Sequence, residues 1–378
     1  MARTQREPNR WVGAAMDSVQ GVTSLTGSDA SADYGAIVLH SFGGPDGPDD
    51  VMPFLENVTR GRNVPADRLA TVVEQYALFG GTSPINDLNL QLIDALTTEL
   101  AGRGITVPIH YGNRNWRPFL RDTIARLADE GVARVLSLAT SAYSGFSSCR
   151  QYLLDIEDAV ASAPAPIEVD KIRPFWNHPG FIDANVAHVS ASLQQLADAG
   201  VAAIDVPIVF TAHSIPTAVA ATSDYELQLR DAAALVLAQL REGDLTEQTS
   251  VDLAFQSRSG PPQVPWLEPD IADRLADLAG SGATAAVVAP IGFISDHMEI
   301  VYDLDTLAAA RANELGITMV RASTAGTHPS FVAALASLIE ERIHGIEPLA
   351  LGELGARMPC ERGCCPAPIR PGVASRPT

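Results

Sequence analysis

The sequence predicts an α/β protein with two doubly wound parallel sheets, and three properties of the chain indicate this fold. Short apolar segments alternate with amphipathic ones at the spacing of strand–helix–strand units. Apolar residues form 46% of the chain, which is enough to build large buried cores. The length of 378 residues exceeds that of one ordinary domain and suits two. A (β/α)8 barrel is the alternative, because eight strands could also close into one sheet.

The predicted strands are eight short apolar runs, and amphipathic patterns predict helices between most of them. We expect the strands at residues 36–40, 107–111, 133–139, 167–172, 207–211, 251–256, 285–289 and 318–321. We expect helices at residues 88–100, 119–130, 179–199, 224–240, 271–278 and 330–343. Alternating strands and helices give parallel sheets that are covered on both faces.

The chain is expected to divide into four segments. Residues 1–33 are a polar, flexible extension, residues 34–174 and 175–345 are the two sheet-containing domains, and residues 346–378 are a tail rich in proline and cysteine. The extension lacks the continuous apolar core of a secretory signal, so we expect a cytoplasmic protein. The longest nearly apolar run, residues 283–294, is too short to span a bilayer, so no integral membrane segment is expected.

The charge of the chain limits its partners. The formal net charge is −19, which argues against nucleic acid or an anionic membrane as the main partner. Lys171 is the single lysine, so an anionic ligand would have to be bound by local arginines. No extended apolar interface stands out in the sequence, and we therefore expect a monomer.

Polar residues cluster after the predicted strands, where open parallel sheets bind their ligands. His213 follows one strand, and the segment after another strand contains Glu299 and Asp303, four residues apart. Imidazole and carboxylates suit a first-row divalent cation such as Fe2+, and they also accept protons. A hydrogen-bonded loop histidine and a solvated acidic helix start are the alternatives, and the spacing alone does not decide between them.

Arginine and aromatic residues supply further candidates for ligand binding. Arginine side chains can bind ligand carboxylates through paired hydrogen bonds. Tyrosines could line a flat apolar pocket, although ordinary surface arginines and core tyrosines would give the same pattern. The candidates are Arg60, Arg62, Arg114, Tyr143 and Tyr152.

Several motifs together resemble the ferrochelatases, which insert Fe2+ into a porphyrin. The resemblance covers about residues 34–345 and rests on the segments 41–45 (SFGGP), 80–84 (GGTSP), 111–114 (YGNR), 211–216 (TAHSIP), 255–258 (FQSR) and 294–299 (ISDHME). It implies the class II chelatase fold of two Rossmann-like domains, with the porphyrin in the cleft between them.

The resemblance also implies roles for individual residues. His213 matches the catalytic histidine, Glu299 the facing glutamate and Asp303 a carboxylate leading outward, so these three are the expected iron-handling side chains. Phe42 stands where firmicute members carry a tyrosine, and phenylalanine cannot bind metal. Leu307 replaces one outer acidic residue. The expected porphyrin contacts are Phe42, Arg60, Arg62, Ser83, Arg114, Tyr143 and Tyr152.

Four cysteines suggest a second metal site. Cys360, Cys364 and Cys365 lie close together in the tail, and Cys149 is the remaining one. Clustered cysteines in a cytosolic chain indicate a metal or redox site more than disulfides, with zinc or free thiols as alternatives. The resemblance to mitochondrial and actinobacterial ferrochelatases implies a [2Fe-2S] cluster, which four thiolates would hold.

The substrate is the last expectation from the sequence. The low lysine content, the tail cysteines and the segment 56–62 resemble actinobacterial enzymes that use coproporphyrin III, which has four propionates. Protoporphyrin IX, with two, is the alternative substrate. A cobalt-type chelatase would need several histidines at the site. A haem carrier or iron–sulfur sensor is the non-enzyme alternative, and a downstream haem-pathway enzyme is the expected recipient of the product.

Overall fold

The computed structural model describes residues 33–61, 64–201, 206–243, 245, 249–260, 262–357 and 363–367. These residues form two four-stranded parallel sheets. The first has the order β2-β1-β3-β4, from β1 (Ala36–Ser41), β2 (Ile109–Asn113), β3 (Arg134–Ala139) and β4 (Glu168–Lys171). The second has the order β6-β5-β7-β8, from β5 (Ile208–His213), β6 (Val251–Gln256), β7 (Ala285–Ala289) and β8 (Thr318–Arg321). Two open sheets confirm the predicted fold, and the barrel alternative is wrong.

Helices cover both sheets, as the alternating pattern predicts. The α-helices are α1 (Pro48–Val58), α2 (Ala66–Ala77), α3 (Ile85–Gly102), α4 (Leu120–Asp129), α5 (Gln151–Ala161), α6 (Pro179–Asp198), α7 (Thr217–Ala220), α8 (Tyr225–Arg241), α9 (Ile271–Gly280), α10 (Met298–Ile300), α11 (Ala309–Glu314) and α12 (Pro329–Ile343). Two π-helical segments are π1 (Phe146–Arg150) and π2 (Val301–Ala308). Within the described residues, no helix combines the length and apolar character needed to cross a membrane.

The two halves repeat one design that the sequence pattern did not reveal. In each sheet the first strand in chain order lies second, and the last strand in chain order is followed by a long helix, α6 or α12, that starts at a His-Pro pair. His178 accepts a hydrogen bond from the Gly180 N–H, and His328 accepts one from the Ser330 N–H, so both imidazoles cap their helices. The two helices meet closely, because a Cβ atom at Gly180 would lie 2.2 Å from the carbonyl oxygen of Ser330.

The described part of the tail is held against the first half of the chain. Asn177 donates to the carbonyl oxygens of Leu351 and Gly355 at 3.1 and 2.8 Å. Arg173 donates to the Leu349 carbonyl at 2.8 Å and pairs with Glu341 at 2.7 Å, and both charged side chains are buried. These polar anchors give order to a segment that has no helix or strand. Of the predicted extension, all but Asp33 lies outside the described residues.

Candidate functional site

His213 is the last residue of β5 and lies at the carboxyl edge of the second sheet. Its Nδ1 atom lies 2.5 Å from the carbonyl oxygen of Ser214. A carbonyl oxygen only accepts hydrogen bonds, so Nδ1 carries the proton, and in the neutral ring the lone pair is on Nε2. Tyr225 donates to the His213 carbonyl at 3.1 Å and so fixes the end of the strand.

Glu299 faces His213 across a short gap. The Glu299 Oε2 atom lies 3.8 Å from His213 Nε2, and both side chains are partly exposed to solvent. Glu299 lies on α10, which begins after β7. The Met298 N–H at the start of α10 donates to the Ser83 hydroxyl oxygen at 3.3 Å. Ser83 therefore holds the start of the glutamate-bearing helix, and its own side chain is buried.

Asp303 lies on π2, one turn beyond Glu299. The Ser257 hydroxyl donates a short hydrogen bond to its carboxylate. The pKa of Asp303 is raised to about 6. Burial is the main cause, the Ser257 hydrogen bond opposes it, and the Glu299 charge adds to the rise. A carboxyl group with this pKa exchanges protons readily near neutral pH.

Ser257 is a residue that the sequence reasoning did not select. It follows β6 directly, and its backbone has a φ of 61°, a conformation that non-glycine residues rarely adopt. Two signals pointed to Ser257: its position after a parallel strand, and its place in the segment 255–258 that carries the family resemblance. The chain thus brings together side chains that follow β5, β6 and β7, which are neighbouring strands in the second sheet.

The residues expected to handle iron are neighbours, but they do not form a preassembled metal centre in the described part of the chain. Among the residues that the structure describes, no three His, Cys, Asp or Glu side chains are placed to hold a metal ion. His213 and Glu299 form the closest pair, while Asp303 is bonded to Ser257.

An aromatic cluster of the first half lies beside the histidine–glutamate pair. Phe42 follows β1, is 38% exposed and lies 6.2 Å, ring to ring, from Phe54. Phe54 in turn packs against Tyr76 and Trp116. Burial, and then the charge of Glu299, raise the pKa of Tyr76, which places this cluster within electrostatic reach of the pair. An exposed ring on an apolar base suits the face of a flat macrocycle.

Arg114 is held in a polar cluster at the end of β2. Its Nε donates to Asp155 Oδ2 at 2.5 Å, and its guanidinium lies 4.2 Å from the centre of the Tyr152 ring. The His40 ring packs edge-on against Tyr152, and burial lowers the pKa of His40 well below its usual value. Arg114 Nη2 is buried without a hydrogen-bond partner in the described part of the chain. Arg114 therefore retains donor capacity, although its charge is paired.

The other predicted porphyrin contacts lie in different settings. Arg60 is exposed and donates to the Asn57 side chain, while Arg62 lies outside the described residues. Tyr143 is only 1% exposed, and its hydroxyl donates to the Ile291 carbonyl at 2.8 Å. This placement favours a structural role for Tyr143, because the ring joins the two halves of the chain inside the core.

Three of the four cysteines approach one another. Cys149 is buried in π1, and Cys364 and Cys365 follow in the described end of the tail. Burial and then the nearby Cys149 raise the pKa of the Cys365 thiol, while hydrogen bonds with Gly145 and Cys364 act in the opposite direction. The tail therefore returns its cysteines to the segment that carries Cys149. Cys360 lies outside the described residues.

Comparison with known proteins identifies the family. Residues 34–343 match the family model described as ferrochelatase. The chain belongs to the ferrochelatase family. Coproporphyrin III ferrochelatase of Streptomyces coelicolor is 47% identical over 367 residues, covering 92% of this chain and 97% of that protein. Coproporphyrin III ferrochelatase of Nocardia farcinica is 47% identical over 357 residues, covering 90% and 99%.

Two further similarities complete the comparison. A protein named ferrochelatase from Rhodopirellula baltica is 47% identical over 347 residues, covering 90% of this chain and 96% of that protein. Among solved structures, SirB from Bacillus subtilis with Fe3+ is 12% identical and has a TM-score of 0.47, covering 82% of this chain and 95% of that one. Membership of the ferrochelatase family makes the chain an enzyme with ferrous iron and a porphyrin as substrates.

Proposed function

We propose that the chain inserts Fe2+ into coproporphyrin III to give Fe-coproporphyrin in haem biosynthesis. The observation that carries this proposal is the His213–Glu299 pair, whose facing atoms are 3.8 Å apart at the edge of the second sheet. The actinobacterial relatives at 47% identity carry the name coproporphyrin III ferrochelatase, which supports this choice of substrate.

The reaction requires two proton acceptors at the macrocycle, because the porphyrin loses two pyrrole protons as the metal enters. His213 Nε2 is the first acceptor, since its lone pair is free when Nδ1–H is bonded to the Ser214 carbonyl. Glu299 lies beside it, where its negative charge stabilises the imidazolium, and it then accepts the second proton itself. Asp303 then passes protons away from the pair or guides iron toward it, with its pKa of about 6.

The number of propionates decides between the two possible porphyrins. Coproporphyrin III carries four carboxylates, and the chain must bind them against its own net charge of −19. The candidates are Arg114, whose charge is paired with Asp155, and the exposed Arg60, with Arg62 as a third. Protoporphyrin IX, with two carboxylates, remains the alternative substrate and would need fewer of these contacts.

We propose in addition that Cys149, Cys360, Cys364 and Cys365 hold a [2Fe-2S] cluster. The fit rests on the approach of Cys365 to both Cys149 and Cys364. Such a cluster would supply a redox-sensitive crosslink between tail and first half. The test is the visible absorption and the iron and sulfide content of anaerobically purified protein, with Cys365→Ser as the variant. Loss of both signals in the variant supports the proposal, whereas a colourless, iron-free wild type rejects it.

The remaining proposals concern organisation. We propose that domain boundaries fall at residues 34–174 and 175–345, which matches the division of the strands between the two sheets. We also propose that the enzyme is a cytoplasmic monomer that passes its product to a downstream haem-pathway enzyme. Gel filtration with light scattering tests the oligomeric state directly.

The decisive experiment for the substrate is anaerobic steady-state iron insertion with both porphyrins. A much larger kcat/KM for coproporphyrin III supports the proposal. A preference for protoporphyrin IX keeps the reaction and overturns the substrate. Porphyrin binding without insertion into either substrate favours a haem carrier or sensor instead.

A further inference from the structure

The segment that carries Glu299 and Asp303 is fixed at two points by one arginine. Arg321, the last residue of β8, lies beneath this segment and is largely buried. Its Nη1 and Nη2 atoms donate to the two carboxylate oxygens of Asp296 at 3.2 and 3.0 Å. Its Nε and Nη2 atoms donate to the two oxygens of Asp305 at 2.5 and 3.0 Å.

The geometry uses the full donor set of the guanidinium. Nη1 also lies 3.5 Å from the Ala322 carbonyl, so all five N–H groups of Arg321 have an acceptor within reach. Thr324 adds a hydrogen bond of 3.1 Å to Asp296. Paired arginine–carboxylate bonds fix both the distance and the orientation of the two groups, so neither carboxylate can rotate freely.

The two carboxylates lie on either side of the catalytic side chains in the sequence. Asp296 precedes His297 and the α10 helix, and Asp305 lies within π2, two residues beyond Asp303. π-Helical segments are rare and need support from their surroundings. A bond at Asp305 supplies that support in the middle of π2. A bond at Asp296 fixes the approach to α10.

Arg321 binds two of the carboxylates of this segment and leaves the other two free of an arginine partner. Of the four acidic residues from position 296 to position 305, Asp296 and Asp305 share the single charge of Arg321, while Glu299 faces His213 and Asp303 is bonded to Ser257. Removing Arg321 would leave Asp296 and Asp305 without their cationic partner, close in sequence to Glu299 and Asp303. Their repulsion would shift the segment as well as release it.

We infer that Arg321 is a positioning residue that sets the placement of Glu299 and Asp303 for iron insertion, by bonding Asp296 and Asp305 at the same time. The inference rests on the proposed function. It assigns no contact between Arg321 and either substrate, because the guanidinium is occupied by its carboxylate partners.

The test compares Arg321→Met with Arg321→Lys and with Arg311→Met in the full chain. Arg311 is a matched control, since it lies on α11, is exposed and pairs with Glu314 at 3.0 Å. In Arg321→Met we expect kcat for iron insertion to fall by about tenfold to a hundredfold, as when support for a reactive group is lost. We expect the Kd for the porphyrin, from its fluorescence on titration with enzyme, to stay within about twofold.

Lysine keeps the charge but offers one point donor in place of the planar fork. Arg321→Lys should therefore recover part of the folded stability, and its kcat should stay closer to that of Arg321→Met than to wild type. Arg311→Met should match wild type in kcat and Kd. Equal kcat in Arg321→Met and wild type would overturn the inference, as would full recovery of kcat by lysine. An inactive wild type would instead reject the proposed function.

Should Arg321→Met fail to fold, Asp305→Asn replaces it, because asparagine keeps one acceptor oxygen and the shape of the side chain. This variant weakens only the Arg321 bond within π2, which loses its charge and one of its two acceptor oxygens. We expect a smaller fall in kcat with an unchanged porphyrin Kd. An unchanged kcat would contradict a positioning role for the Arg321–Asp305 bond.

Discussion

Replacing Asp303 by asparagine should stabilise the protein at neutral pH while reducing its activity. The carboxyl group has a pKa of about 6 in the folded chain against its ordinary value of 3.8, mainly because of burial. The folded state therefore binds this proton more tightly than the unfolded state. Stability is lost as pH rises from about 4 to about 6, and above that range ionised Asp303 costs up to about 3 kcal/mol.

Asparagine cannot ionise, so this variant avoids the cost. The difference in the free energy of unfolding between Asp303→Asn and wild type should be about 2 kcal/mol larger at pH 7.5 than at pH 4.5. Urea unfolding of both proteins at the two pH values measures it, because contributions from the other groups cancel in the difference. A difference that does not change with pH would refute the assignment of a raised pKa to Asp303.

Three further predictions concern contacts between distant parts of the chain. Tyr143→Phe removes the hydrogen bond to the Ile291 carbonyl and should lower the free energy of unfolding by about 1 kcal/mol in urea. Arg173→Met leaves Glu341 buried without its partner and should cost about 3–5 kcal/mol, seen as a lower Tm; a change below 1 kcal/mol would contradict the buried pair. Gly180→Ala places a Cβ atom against the Ser330 carbonyl, so it should lower Tm clearly, whereas Gly131→Ala, which meets nothing within 4 Å, should show only the strain of its positive φ.

Most of the fold could be predicted from the sequence, because buried strands are marked by short apolar runs. All eight strands lie within two residues of their expected ends, and the six expected helices are present. The helices α1, α2, α5, α7 and α11 were not among those expected. In α1 the prolines at positions 48 and 53 disguise a helix that begins at a proline and buries Phe54.

The site could be predicted only in part. The sequence could point to His213 and Glu299 because each lies at or after the end of a strand and belongs to a motif of the ferrochelatase family. The sequence could not assign roles to Ser257 and Arg321, since these depend on hydrogen bonds to Asp303 and Asp305 that no local pattern predicts. The segment from Glu299 onward would place Glu299 and Asp303, four residues apart, on one face if it were an ordinary α-helix. It continues instead as π2, whose wider turn has no marker in the sequence.

We expect His213 to accept a proton from a bound porphyrin as iron enters. The most direct measurement is iron insertion by His213→Ala under anaerobic conditions, with porphyrin binding determined on the same sample by fluorescence. We expect loss of insertion with porphyrin affinity retained, because the proton acceptor is removed while the aromatic cluster around Phe42 and Phe54 stays in place. Insertion at the wild-type rate by His213→Ala would contradict the role of His213 as proton acceptor.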